Sequence, residues 1–233
     1  MYGRTLYCKF PIQRKMKRTI YTHILLAVLG IALLLPADLM SQGSGKKKDL
    51  DEKVRAFLEK RQGSWRDLNI PTSDGKILYD LIIKNKYKKA LEIGTSTGYS
   101  TIFIAWALSK TGGKVITIEI DEDRYREALA NFKEAGLSEY VDARLADAHD
   151  LVKELKGPFD FVFCDADKEW YKNYFIALHP KLEKGGCYTA HNVSSRGWGM
   201  GGTREFYDHI KNLSDMKTMV DESGGGISIS YKQ

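Results

Sequence analysis

Residues 91–100 read Leu-Glu-Ile-Gly-Thr-Ser-Thr-Gly-Tyr-Ser. The β-rich run 88–94 leads into this stretch and helical periodicity follows it over 99–110, so Gly94 and Gly98 belong to a strand-to-helix turn. Glycine there lets a ligand approach the backbone, and the next helix offers its N-terminus. The dinucleotide fingerprint G-x-G-x-x-G is absent, because Ser96 and Tyr99 stand where its second and third glycines belong. An acid, Glu92, before the first glycine suits a cationic or hydroxyl-bearing ligand better than a pyrophosphate.

Outward from this turn the chain alternates strand and helix. Runs 114–120, 141–146, 159–165 and 185–191 read as strands, with helices expected over 121–135, 148–155, 168–182 and 203–213. Asp121 is a good helix N-cap and Gly136 a good stop. A helix is also expected from Asp49, with Leu50, Val54, Phe57 and Leu58 on its apolar face. The chain ends in 217–221, a glycine turn at 224–226 and 227–231, where Ile227, Ile229 and Tyr231 alternate with serines. The alternation predicts an α/β fold: a doubly wound, mostly parallel sheet with helices on both faces. The last strand follows a turn rather than a helix, so it should pair antiparallel to its predecessor.

In such sheets ligands bind beyond the carboxyl ends of the strands. The second strand ends in Glu119, whose carboxylate can accept both hydrogen bonds of a ribose diol. The third ends in Asp147-Ala148, positioned to border an adenine or simply to cap a helix. The fourth ends in Asp165-Ala166-Asp167-Lys168 and the fifth in His191-Asn192. Acids, an imidazole and an amide at neighbouring strand ends can hold a hard cation, although Asp at such positions also serves as a cap.

Taken together, LEIGTSTGYS (91–100), ITIEID (116–121), FCDADKEWY (163–171) and AHNV (190–193) resemble the class I S-adenosylmethionine-dependent methyltransferases of Rossmann-like fold. Within them they are similar to the cation-dependent O-methyltransferases, the catechol and caffeoyl-CoA group. The resemblance covers roughly residues 68–231. It implies that Asn69, Ile70, Glu92, Gly94, Ser96, Tyr99 and Ser100 surround the methionine part of the cofactor, that Glu119 binds its ribose, and that Asp147 and Ala148 lie near its adenine. It also implies a divalent cation held by Asp165, which borders the cofactor, and by an Asp-Asn pair. Here that pair reads His191-Asn192. An imidazole in place of a carboxylate weakens magnesium binding and suits Mn²⁺, Fe²⁺ or Zn²⁺ better. The resemblance makes Lys168 the base that takes the proton of the attacking hydroxyl.

The expected activity is methyl transfer to a small aromatic, catechol-like hydroxyl. A metal-free enzyme using His191 as base and a non-catalytic S-adenosylmethionine-binding protein are the alternatives. Tyr171, Tyr174 and Phe175 have core spacing, whereas Trp170 lies off that stripe and is a candidate to face substrate. The glycine-rich segment 194–203, with Trp198 and Met200, reads as a lid or as a plain loop.

Of the 233 residues, 43% are apolar and 28% charged, which is globular composition and excludes a disordered chain. Most of the net charge of +6 arises in the first 41 residues, which carry Arg4, Lys9, Arg14, Lys15, Lys17 and Arg18 against Asp38. The near-neutral remainder gives no footprint for nucleic acid. Beyond Cys8 only Cys164 and Cys187 remain, too few for a disulfide framework or a zinc site. Residues 24–35, ILLAVLGIALLL, follow basic residues and precede Pro36. Residues 1–41 therefore read as a signal peptide cleaved after Ser41 or as a membrane anchor, with 1–15 a mis-assigned start before Met16. Residues 42–48 read as a polar linker and 49–233 as the methyltransferase domain. Export or anchoring is expected, with membrane contact only through an uncleaved leader. Homodimerisation is left open.

Overall fold

The computed structural model describes residues 37–65, 69–196 and 199–233. The apolar run 24–35 and Trp198 lie outside the described residues. The unit that carries the site runs from Lys47 to Gln233.

Seven strands form one sheet: β1 (Lys89–Ile93), β2 (Lys114–Glu119), β3 (Val141–Leu145), β4 (Phe159–Cys164), β5 (Leu182–His191), β6 (Met216–Asp221) and β7 (Ile227–Lys232). Their order is β3-β2-β1-β4-β5-β7-β6. β1 to β5 pair in parallel, and β7 lies antiparallel between β5 and β6. The expected antiparallel pairing of the last strand with its predecessor is present. The strand order reverses between β1 and β4, which opens a crevice at their carboxyl ends.

The helices are α1 (Ala37–Lys60), α2 (Thr72–Asn85), α3 (Tyr99–Thr111), α4 (Glu122–Ala135), α5 (Ala148–Glu154), α6 (Tyr171–Leu178) and α7 (Thr203–Ile210). Alternate residues of each strand feed two cores. Ala90 and Phe161 pack on one face of the sheet with α2, α3 and α4, while Leu91 and Val162 pack on the other with α5, α6 and α7. Asp121 caps α4 by accepting the N–H groups of Asp123 and Arg124, and Gly136 ends it at φ +77°.

Two expectations need correction, and a third helix falls outside them. The helix expected from Asp49 begins earlier, at Ala37. Two glycines cost a helix only about 1 kcal/mol each and do not break it. The helix expected over 168–182 is an α-helix only over Tyr171–Leu178, flanked by 3₁₀ turns at Lys168–Trp170 and His179–Lys181. Pro180 has no N–H to continue the ladder. The third is a helix that was not expected at all, α2. It follows Pro71, and its buried stripe of Asp74, Gly75, Leu78 and Ile82 begins with a charge and a glycine rather than with apolar residues. Gly75 is there because a larger residue would strike the Phe103 ring of α3.

Candidate active site

The crevice at the switch point opens into a cavity of about 600 Å³, within the range of small-molecule sites. It gathers Asn69, Ile70, Gly94, Ser96, Ser100, Glu119, Asp147, Ala148, Asp165, Lys168, His191 and Asn192 from stretches far apart in the chain. Backbone geometry explains part of this. Gly94 has φ +95°, and any side chain on it would strike the Asp165 carbonyl, so β1 and β4 can end side by side only with glycine there. Ser96 and Asn192 also take positive φ, +48° and +57°.

Glu119, almost wholly buried, ties the turns together. Its carboxylate accepts the N–H of Ser96 at 2.7 Å, of Ile120 at 3.0 Å and of Asp121 at 2.9 Å. At one rim, Asp147 caps α5 through the N–H of His149 at 2.8 Å. The His149 ring also approaches Asp167 at 3.3 Å and stacks near Tyr174. Trp170, considered above as a substrate contact, instead leans on His149 with ring centroids 4.2 Å apart and is not among the cavity-lining residues. Met200, from the glycine-rich segment, reaches the cavity wall.

Two expected site residues lie outside the cavity. Glu92 points into the sheet face beneath the turn, where Ser100, Thr101 and Thr117 donate their hydroxyls to it. Burial pushes its carboxyl up to about 7, against those three donors. Glu92 therefore braces the turn from behind. Tyr99 points the other way: its hydroxyl pairs with that of Thr72 at 2.7 Å, and its ring packs edge-on against Trp65 and Phe103.

The inner end of the cavity is a charged cluster that includes a residue absent from the sequence reading. His191 Nε2 lies 2.9 Å from Asp74 of α2, and its Nδ1 lies 3.3 Å from Asp165. The Lys168 ammonium donates to the other Asp165 oxygen at 2.5 Å, and the Tyr171 hydroxyl donates to that same oxygen at 3.4 Å. Asp74 also accepts the Gly225 N–H at 2.8 Å and the Ser73 hydroxyl at 3.1 Å. Both ring nitrogens of His191 thus face carboxylates, which only accept, so the ring is an imidazolium. Burial alone would push its pKa down, but the bonds to Asp165 and Asp74 outweigh it and raise it to about 9. Burial would likewise raise both carboxyls. The hydrogen bonds and charges of His191, joined by Lys168 at Asp165 and by the Gly225 N–H at Asp74, hold them below the usual range instead.

This geometry tests the expected cation site. Asp165 meets Lys168 and Tyr171 on one oxygen and His191 on the other, and the two nitrogens of His191 are turned to Asp74 and Asp165. With neither nitrogen directed at a free position, the set Asp165, His191 and Asn192 as arranged does not fit a divalent cation. Among the described residues no group of three His, Cys, Asp or Glu side chains is arranged to hold one. His191 as a base fails as well, because a doubly protonated ring has no lone pair.

The topology defines the class, a Rossmann-like α/β protein with its site at the sheet's switch point. Residues 41–222 match the profile of the O-methyltransferase family, and the chain belongs to that family. It is 42% identical over 112 residues to a catechol O-methyltransferase of Niastella koreensis, 46% of this chain and 50% of that protein. It is 32% identical over 154 residues to a caffeoyl-CoA O-methyltransferase of Populus kitakamiensis, 64% of this chain and 65% of that one. The chain thus spans about half to two thirds of the length of these curated relatives. The crystal structure of an O-methyltransferase from Bacillus cereus in complex with SAH superposes with a TM-score of 0.68 at 26% identity, covering 78% of this chain and 91% of that one.

Proposed function

We propose that this chain transfers the methyl group of S-adenosylmethionine to a small aromatic hydroxyl of the catechol type. The observation that carries the reading is the convergence of the Gly94 turn, Glu119 and the Asp165–Lys168 pair on one cavity at the switch point. Likeness to the catechol enzyme of Niastella koreensis supports the acceptor class.

The cavity suits such a cofactor. Glycine at 94 lets the turn after β1 lie against the Asp165 carbonyl, Glu119 offers a carboxylate for a ribose diol, and Asp147 and Ala148 border the adenine end. Asn69, Ile70, Ser96 and Ser100 enclose the methionine end. When bound, S-adenosylmethionine supplies an activated methyl: the acceptor oxygen bonds the methyl carbon, the carbon–sulfur bond breaks with its electron pair left on sulfur, and the hydroxyl proton leaves to solvent. The chain's part is alignment and electrostatics. Lys168 donates to Asp165 and, beside His191, places positive charge where it favours ionisation of the acceptor hydroxyl and stabilises its oxyanion. Met200 and Ile120 supply apolar wall.

Incubation with methyl-labelled S-adenosylmethionine and a panel of catechols tests this. Label should appear on one hydroxyl oxygen, and absence of transfer to every member would contradict the reading. Glu119→Ala should remove a charge-assisted contact worth roughly 1.5–3 kcal/mol, and with it about tenfold or more of S-adenosylmethionine affinity by calorimetry. Unchanged affinity in the folded variant would mean that the ribose lies elsewhere.

A further inference from the structure

Asp74 reaches the site from 117 positions before its partner His191, on a helix with no part in the strand-end pattern. Asp74, His191 and Asp165 are all nearly inaccessible, their side chains 1%, 7% and 12% exposed. The β6–β7 turn closes over them with Gly224 and Gly225, where any side chain would run into Asp74 or His191. The cluster is therefore a built feature and not a chance surface pairing. Its two carboxylates meet two cations, His191 and Lys168, and the sum is neutral. A divalent ion entering here would have to displace Lys168 from Asp165, strip a proton from His191, or add two positive charges to a desolvated and already balanced group.

We propose that the side chains of His191 and Lys168, held by Asp74 and Asp165, occupy the place of a divalent cation, and that methyl transfer at this site needs no metal. The inference rests on the methyltransferase reading for the reaction. Its claim about the metal stands on the cluster alone. Two fixed positive charges at the inner end of the cavity do for the acceptor oxygen what a bound ion would do: they favour its ionisation and hold the resulting anion. Unlike an ion, they cannot be removed by a chelator.

The test has a binding arm and an activity arm, so that failure of this inference and failure of the proposed function are distinguishable. In the binding arm, MgCl₂ and MnCl₂ are titrated into the chelator-treated full chain by calorimetry, and thermal unfolding is followed in parallel. Wild type should bind neither ion and show no metal-induced rise in Tm. His191→Asp, which removes the internal cation and adds an oxygen ligand, should gain at least about tenfold in affinity and show a metal-dependent rise in Tm. If that variant does not fold without metal, Asp74→Asn/His191→Asp relieves the crowding of carboxylates and should show the same gain. In the activity arm, EDTA should leave wild-type methyl transfer within about twofold. Stoichiometric binding of either ion by wild type at micromolar concentration, or loss of transfer in EDTA with recovery on adding metal, would overturn the inference. If no catechol is methylated under any condition, the proposed function fails while the binding arm still decides the metal question.

Discussion

Replacing Asp74 with alanine is expected to destabilise the protein by about 3–5 kcal/mol at neutral pH, the usual cost of removing one partner from a buried ion pair. For a chain of this length that is a fall in Tm of roughly 10 °C. The carboxylate is almost wholly buried and its partners have no alternative: the imidazolium would keep one counter-charge, and the Gly225 N–H would lose its acceptor. The effect should depend on pH in a definite direction. The pKa of His191 rises from 6.5 to about 9 on folding, so its charged contacts contribute fully below about pH 6.5 and are lost as the pH climbs through about 9. The difference between wild type and Asp74→Ala should therefore be largest on the acidic side of neutrality and shrink above pH 9. Calorimetric unfolding of both proteins at pH 6, 7.5 and 9.5 measures it. A difference below about 1 kcal/mol at pH 6 would mean that His191 is not the charged partner of Asp74.

Lys168→Met is expected to lower kcat by about 10²–10³, the usual cost of deleting one preorganised group that stabilises a developing oxyanion. The KM for S-adenosylmethionine should hardly change, because Lys168 bonds to Asp165 and takes no part in the contacts of Glu119 with the Ser96, Ile120 and Asp121 N–H groups. Lys168→Arg keeps the charge and should recover part of the rate. Steady-state kinetics on the best catechol reports both. A kcat within about threefold of wild type would place the acceptor away from Lys168.

The strand ends were legible in the sequence because each carries its own local reason. Gly94 must be glycine for β1 to pass the Asp165 carbonyl, and Asp121 and Asp147 are caps with their N–H donors in sequence reach. Open-sheet topology then gathers those ends, so most of the cavity could be read in advance. What the pattern could not supply is direction and charge. Glu92 and Tyr99 lie in the motif, but a strand alternates faces and a helix start rotates its side chains, and both point away from the cavity. The state of His191 depends on Asp74, which belongs to a helix whose buried face opens Asp74-Gly75. Apolar periodicity cannot find such a face, and no local rule ties a charge to an imidazole more than a hundred residues away.

The central claim is that the cofactor occupies the switch-point cavity with its ribose on Glu119 and its sulfur toward the Asp165–Lys168–His191 end. A crystal structure of the full chain with S-adenosylhomocysteine tests it most directly. The predicted result places the ribose diol within hydrogen-bond distance of the Glu119 carboxylate, the adenine against Ala148, and the sulfur facing the inner cluster, with His191 still between Asp74 and Asp165. A ligand bound outside this cavity, or inside it with the ribose turned away from Glu119, would contradict the account.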